Sequence, residues 1–171
     1  MAVWPTDRSR HGGADEIPLP ETDGHLWLCG KHFVGPDPEA ALRSTGTNTI
    51  VCLCEEFELG ERFPDYVSWL RANAPDRVIW SPIPDLHAPP LDEAVTLLAV
   101  LRERLTRGDG LLMHCAAGIG RSGTLAAAIL VTMGMSPEDA VGQVGSHRPM
   151  AGPEQGVQQD LLNEVARRWR I

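Results

Sequence analysis

Lysine is nearly absent from this 171-residue chain: fourteen of its fifteen basic residues are arginine, and only Lys31 is lysine. Against 23 acidic residues this leaves a formal net charge of −8. Such a chain is poorly suited to the phosphate backbone of a nucleic acid or to an anionic membrane surface, so neither is an expected partner. Cysteine is also scarce. The four present, Cys29, Cys52, Cys54 and Cys115, are too few for a disulfide scaffold and point instead to buried thiols, ligands or a nucleophile. There is no run of about 18 apolar residues that could span a bilayer. The opening MAVWPTDRSRHGGADE lacks the apolar segment of a secretory signal, so the expected location is cytoplasmic.

What is present is ordinary globular composition, 43% hydrophobic and 22% charged, in a length that suits one domain. Residues 1–16 are polar and aperiodic and read as a flexible amino-terminal tail, leaving one domain over 17–171. His25–Cys29 reads as a short strand. Asp37 is a candidate helix cap with Pro38 at the first helical position, the helix reaching about Ser44. Thr47–Cys54 is β-branched and apolar, as a buried strand would be. Residues 55–64 read as a loop, Asp65–Ala72 as a short helix, and Arg77–Ile83 as a strand interrupted by prolines. Leu91–Arg107 has a helical apolar period. Gly110–His114 is a further buried strand, and Ser122–Met133 is apolar almost all round. Ser136 and Pro137 open another helix, and a last one runs from about Glu154 to Arg168. Strands alternating with helices predict a single α/β domain, with a central, mostly parallel sheet covered by helices on both faces.

One segment carries chemistry: His114-Cys115-Ala116-Ala117-Gly118-Ile119-Gly120-Arg121-Ser122-Gly123-Thr124. It falls between a buried strand and a buried helix, so the first N–H groups and the positive end of the helix point into it. Gly118 and Gly120 permit the left-handed backbone from which N–H groups converge on an anion. Arg121 supplies a planar fork for two phosphate oxygens. A helix start and an arginine both favour the thiolate of Cys115, a strong nucleophile facing the bound phosphorus. Ser122 can donate a hydrogen bond to that sulfur, and His114 is expected to orient the loop through its backbone. By composition, this spacing with both glycines would arise by chance in roughly one such chain in a hundred thousand, which favours function over a structural thiol. Cys52 and Cys54 form C-x-C on a strand with no matching C-x2-C partner, which is poor zinc geometry.

The string HCAAGIGRSGT resembles the H-C-x5-R-[ST] signature of the protein tyrosine phosphatase superfamily. The chain length fits its small dual-specificity branch. VCLCEEFEL, MGMSPEDAV and HRPMAG further resemble the kinase-associated phosphatase type and its bacterial relatives, so the likeness extends over most of the chain. It implies a Cys-dependent phosphatase fold, a cysteinyl-phosphate intermediate, a phosphoprotein substrate, and neither metal nor cofactor. It also implies a general acid on a mobile loop reading P-D-x-x-x-P, matched by Pro84, Asp85 and Pro89. Asp85 would protonate the leaving oxygen and then take a proton from water. Some relatives position that water with a glutamine; Gln158 and then Gln155 are the candidates here. The phosphate loop would be Ala116, Ala117, Gly118, Ile119, Gly120 and Arg121. Its variable positions are apolar, which suits a single phosphate on a peptide side chain: phosphotyrosine, with phosphoserine and phosphothreonine as further substrates. The competing readings are an inactive phosphate- or phosphoprotein-binding module, a phosphatase acting on phosphoinositides or RNA, and a sulfur carrier or arsenate reductase with a similar loop. Oligomeric state is not encoded in any feature of the sequence.

Overall fold

The computed structural model describes residues 13–169. Five strands form one sheet: β1 (Ala14–Ile17), β2 (His25–Gly30), β3 (Thr49–Cys52), β4 (Val78–Trp80) and β5 (Gly110–Cys115). Their order across the sheet is β1-β2-β5-β3-β4, and only β1 runs antiparallel to its neighbour. The mostly parallel α/β architecture expected from the sequence is the one observed.

Among the described residues there are eight helices: α1 (Lys31–Val34), α2 (Pro38–Thr45), α3 (Glu56–Gly60), α4 (Pro64–Asn73), α5 (Leu91–Thr106), α6 (Gly120–Thr132), α7 (Pro137–His147) and α8 (Gly156–Trp169). The central strand β5, GLLMHC, is buried at all six positions, as befits a parallel strand covered on both faces. Its side chains alternate. Leu111 and Met113 join a core with Leu98, Leu101, Ile129, Val144 and Leu162 of α5–α8. Leu112 joins a second core with Val34, Leu42, Leu59, Val67 and Leu70 of α1–α4. Helix α6 is buried at every position because it lies between the sheet and α7 and α8, which explains its all-round apolar sequence. The caps behave as their residue types predict. Asp37 accepts from the Ala40 N–H at 3.0 Å, Ser136 accepts from the Asp139 N–H at 3.1 Å, and proline opens both helices.

Three expectations need correction. Of the tail expected over 1–16, residues 1–12 lie outside the described residues, but Ala14, Asp15 and Glu16 belong to β1, which pairs with β2 and buries Ile17. The segment 55–64 is not a loop throughout, since α3 lies within it. That helix is started by Glu55 and Glu58, three residues apart, each side chain accepting the other's backbone-side N–H. The strand expected over 77–83 is only three residues long, because Pro82 and Pro84 cannot donate to a ladder.

Candidate active site

Strand β5 delivers Cys115 to the carboxyl edge of the sheet, the edge where open α/β folds collect ligands. Cys115 lies beside Gly30 of β2, and His114 beside Cys52 of β3. Gly30 is glycine for a steric reason: a Cβ there would stand 2.9 Å from the Ala116 oxygen. The chain then turns through residues 116–119 into α6. Gly118 turns at φ 73°, and a Cβ on it would collide with the Cys29 carbonyl.

The carbonyls of this loop are all turned outward and bound. Ala116 O accepts from the Lys31 N–H at 2.9 Å. Arg148 donates to Ala117 O at 3.1 Å and to Gly118 O at 2.7 Å. Ile119 O accepts from Gly123 and Gly152. In a planar trans peptide the N–H points opposite to the C=O, so the N–H groups of Ala117, Gly118, Ile119 and Gly120 point away from those partners, as an anion-binding loop at a helix start requires. Arg148, 3% exposed, is in turn held by Asp15 of β1 at 2.7 Å. Sequence reasoning missed this bracing arginine, which precedes a proline at the end of α7 and carries no local signature.

Cys115 is buried, and its sulfur lies 3.1 Å from the Ser122 Oγ. His114 Nδ1 lies 3.1 Å from the Cys115 carbonyl and Nε2 lies 2.6 Å from the Tyr66 hydroxyl. A carbonyl only accepts, so Nδ1 carries a proton; in the neutral tautomer this defines, Nε2 accepts from Tyr66. Burial pushes the Tyr66 hydroxyl's pKa well up, which keeps that proton in place. The expected orienting role of His114 therefore has a buried partner, Tyr66. Among the neighbouring thiols, burial pushes Cys29 up, and contact with Cys52 together with burial pushes Cys54 up.

Arg121 is 2% exposed and its guanidinium is divided between two tasks. One edge is occupied: Nη1 and Nη2 donate to the two Glu58 carboxylate oxygens at 2.8 and 2.7 Å, and Nη1 also donates to Ile83 O at 2.8 Å. The other edge is not. Nε, although buried, has no hydrogen-bond partner among the described residues. Nη2 lies 3.5 Å from Asp85 Oδ1. Burial works against the guanidinium's charge, and Glu58 together with the nearby Cys115 and Cys54 more than offsets it. Burial likewise pushes the Glu58 carboxyl up, while Arg121 and the Glu55 N–H outweigh that and hold it below the ordinary glutamate range. Glu58 is the second residue that sequence reasoning missed.

Asp85 stands at the mouth, its side chain 69% exposed, with Oδ1 accepting from the Leu86 N–H at 2.9 Å. Gln158 is 1% exposed. Its oxygen accepts from the Glu154 and Gln155 N–H groups at 2.6 and 3.4 Å, and its nitrogen donates to His87 O at 3.2 Å. Gln155 is exposed on the turn before α8. The structure thus gathers Asp85, His114, Cys115, Arg121 and Ser122 at one edge of the sheet. Gln158 lies against the backbone of the loop that carries Asp85, with one amide N–H engaged at His87 O. Among the described residues, no three His, Cys, Asp or Glu side chains are grouped to hold a metal ion, and no helix is long and apolar enough to cross a membrane.

Residues 35–135, which include Asp85 and the segment from His114 to Thr124, match the family described as "Polymorphic toxin system, DSP-PTPase phosphatase". The chain belongs to this DSP-PTPase family. It is also 38% identical over 65 residues to dual specificity protein phosphatase 22 of Xenopus tropicalis, covering 37% of this chain and 31% of that protein. The chain thus matches about a third of this curated relative's length. Among solved structures, Tk-PTP in its active form superimposes with a TM-score of 0.70 at 25% identity, over 97% of this chain and 99% of that one. Kinase associated phosphatase, solved with serine in place of its catalytic-site cysteine, shares the fold with a TM-score of 0.75 at 24% identity, over 92% and 95% of the two chains. The DSP-PTPase match ends before Arg148 and Gln158, so the bracing of the loop and the contact with its neighbour come from outside the matched segment.

Proposed function

We propose that this DSP-PTPase chain is a Cys-dependent protein phosphatase that hydrolyses phosphotyrosine, with phosphoserine and phosphothreonine as further substrates, through a cysteinyl-phosphate intermediate. The observation that carries the reading is the unpartnered, buried Nε of Arg121. With Nη2 it forms a two-point fork beside the N–H groups of the loop, the geometry that grips two oxygens of one phosphoryl group.

In the first step the Cys115 sulfur forms a bond to phosphorus as the phosphorus–oxygen bond to the leaving group breaks. The proton of the Asp85 carboxyl passes to the leaving oxygen. In the second step Asp85, now a carboxylate, takes a proton from water. The water oxygen bonds to phosphorus, and the sulfur leaves with the Ser122 hydroxyl hydrogen-bonding to it. Glu58 positions the Arg121 fork by occupying its other edge. His114 and Tyr66 position the backbone carbonyl of Cys115.

The substrate class rests on the surroundings of the nest. Ala116, Ala117 and Ile119 bring no charge to hold additional phosphates. The exposed apolar side chains Phe57 and Leu86 flank Glu58 and Asp85 in the chain. An acidic protein with such a rim suits a phosphopeptide better than a phosphoinositide, an RNA end or a membrane surface. Kinetics on phosphopeptides, phosphoinositides and 5′-triphosphorylated RNA test this. Phosphotyrosine peptides should give the highest kcat/KM, and a phosphoinositide or RNA above every phosphopeptide would refute the substrate class. Cys115→Ser should abolish turnover while leaving phosphate binding nearly intact. Turnover within about tenfold of the parent would refute the nucleophile. Binding without turnover in the parent itself would favour an inactive module.

The family's placement in polymorphic toxin systems supports a second reading, of biological role: the activity is directed at phosphoproteins of another cell. Induced expression inside a bacterial host should arrest growth with the parent chain and not with Cys115→Ser. Equal growth of the two strains would refute that role.

A further inference from the structure

Gln158 spends its whole acceptor capacity and one donor on backbone groups, and the two sides of its amide meet different loops. A buried amide is costly unless satisfied, and this one is 1% exposed. Its oxygen fixes the Glu154 and Gln155 N–H groups at the start of α8. Glu154 in turn lies against the phosphate loop, since a Cβ added at Gly120 would run into its carboxylate. The nitrogen of the same amide donates to His87 O, 71 residues away in sequence, on the loop that carries Asp85.

That loop is held at two points on either side of Asp85. Upstream, Arg121 donates to Ile83 O at 2.8 Å; downstream, Gln158 donates to His87 O at 3.2 Å. Between them the segment is exposed at Asp85 and Leu86. Leu86 adopts φ 64°, a left-handed conformation that costs a non-glycine residue free energy and persists only where surrounding contacts impose it. The contacts inside the segment are local, a turn from His87 N to Pro84 O at 3.0 Å and His87 Nδ1 to Asp85 O at 2.7 Å, and they would travel with the loop if it swung away. Upstream it is tied to the body of the protein by the Ile83 N–H, which donates to Leu53 O at 3.0 Å, and by Arg121 at Ile83 O and at Asp85 itself; downstream it is tied by Gln158 at His87 O, with Ala88 packed on the core.

We propose that Gln158 is a positioning residue: it straps the acid loop over the phosphate loop, holding Asp85 within reach of the leaving oxygen. The proposal rests on the reading of Asp85 as the acid. It replaces the sequence expectation that this glutamine places a water. A strap acts through Asp85, so its loss should matter only where the acid matters.

The test compares two substrates, an aryl phosphate whose phenol is acidic enough to leave unprotonated and a phosphotyrosine peptide whose phenol is not. Asp85→Ala should lose kcat on the peptide by roughly 10²–10⁴ and much less on the acidic phenol ester. Gln158→Met, which keeps the bulk and removes the amide, should lose kcat on the peptide by about tenfold or more while changing less than about threefold on the acidic phenol ester, a partial loss of the acid's contribution. The double variant Asp85→Ala/Gln158→Met should be no slower on the peptide than Asp85→Ala alone, because two residues acting through one group are not additive. Retained turnover of the acidic phenol ester shows in the same experiment that the fold is intact. If Gln158→Met does not fold, Gln158→Asn, which withdraws the amide by one methylene, should show the same split. Equal losses on both substrates, or no loss on either, overturn the strap. Leaving-group dependence in Asp85→Ala but not in the Gln158 variants overturns the strap alone; its absence in Asp85→Ala removes the acid assignment and the strap with it.

Discussion

Glu58→Ala is the perturbation whose consequences the structure makes largest for a residue outside the signature loop. The Glu58 side chain is 10% exposed and its partner Arg121 is 1% exposed, with two bonds of 2.8 and 2.7 Å between them. Removing one member of a buried pair leaves the other charge uncompensated, which costs about 3–5 kcal/mol. For a domain of this size about 1 kcal/mol moves Tm by roughly 2–4 °C, so the expected fall is on the order of 6–20 °C. The pH dependence has a definite sign. Because the folded-state Glu58 carboxyl sits below its ordinary value, its contribution is fully present above the unpaired glutamate value of about 4.3. It is lost as the pH falls through the lower folded value. The Tm difference between parent and variant should therefore be flat through the neutral range and shrink in acid. Activity should fall with it, on the order of 10²-fold in kcat/KM, because the released guanidinium no longer presents its Nε–Nη2 edge in register. Thermal melts across pH with parallel kinetics are the assay. A Tm change below about 2 °C, or a difference that persists undiminished to strongly acid pH, would refute the ion-pair argument.

Arg121→Lys should be nearly as inactive as Arg121→Ala, since a point charge can satisfy neither the Glu58 edge nor the phosphate edge as a fork does; phosphatase kinetics that place it close to the parent would show that the fork is dispensable. Tyr66→Phe leaves buried His114 Nε2 without its donor, a cost of about 1–3 kcal/mol, read as a Tm fall of roughly 2–12 °C; an unchanged melt would remove Tyr66 from the support of the loop. Gly118→Ala should sharply reduce both activity and phosphate affinity, because the position needs a φ of 73° and its Cβ would meet Cys29 O and the Arg148 Nη2 at 2.8 Å; isothermal titration with phosphate that matches the parent would contradict the nest geometry.

Local features of the site were legible in the sequence, and its non-local partners were not. The loop from His114 to Thr124 is contiguous, so its residue types and spacing announce the strand, the turn and the helix start together. Asp85 was picked out through the resemblance, on the P-D-x-x-x-P spacing of Pro84, Asp85 and Pro89. Glu58 was hidden because its partner is 63 residues away and its own segment looked irregular. The offset of Glu55 and Glu58 by three was the available hint, a helix-start pattern with glutamate where serine or threonine is usual. Strand β1 was hidden by composition: ADEI has one large apolar residue to bury, Ile17, beside the small Ala14, and an antiparallel edge strand needs little more. Gln158 was noticed for its residue type, but its role depends on His87, which no sequence period brings near it.

The bond from Arg148 to Asp15 spans 133 residues. The carbonyls of Ala117 and Gly118 are held by an arginine that is itself held by the first strand of the sheet. The turn from Ala116 to Ile119 thus depends on contacts of high contact order, although its own residues are consecutive. Synthesis supplies Asp15 first and Arg148 late, so the loop cannot acquire its braced shape on a chain still growing through α7. Competence for catalysis then becomes a property of the finished topology, and an unfolded or partly threaded chain carries the signature sequence without the site.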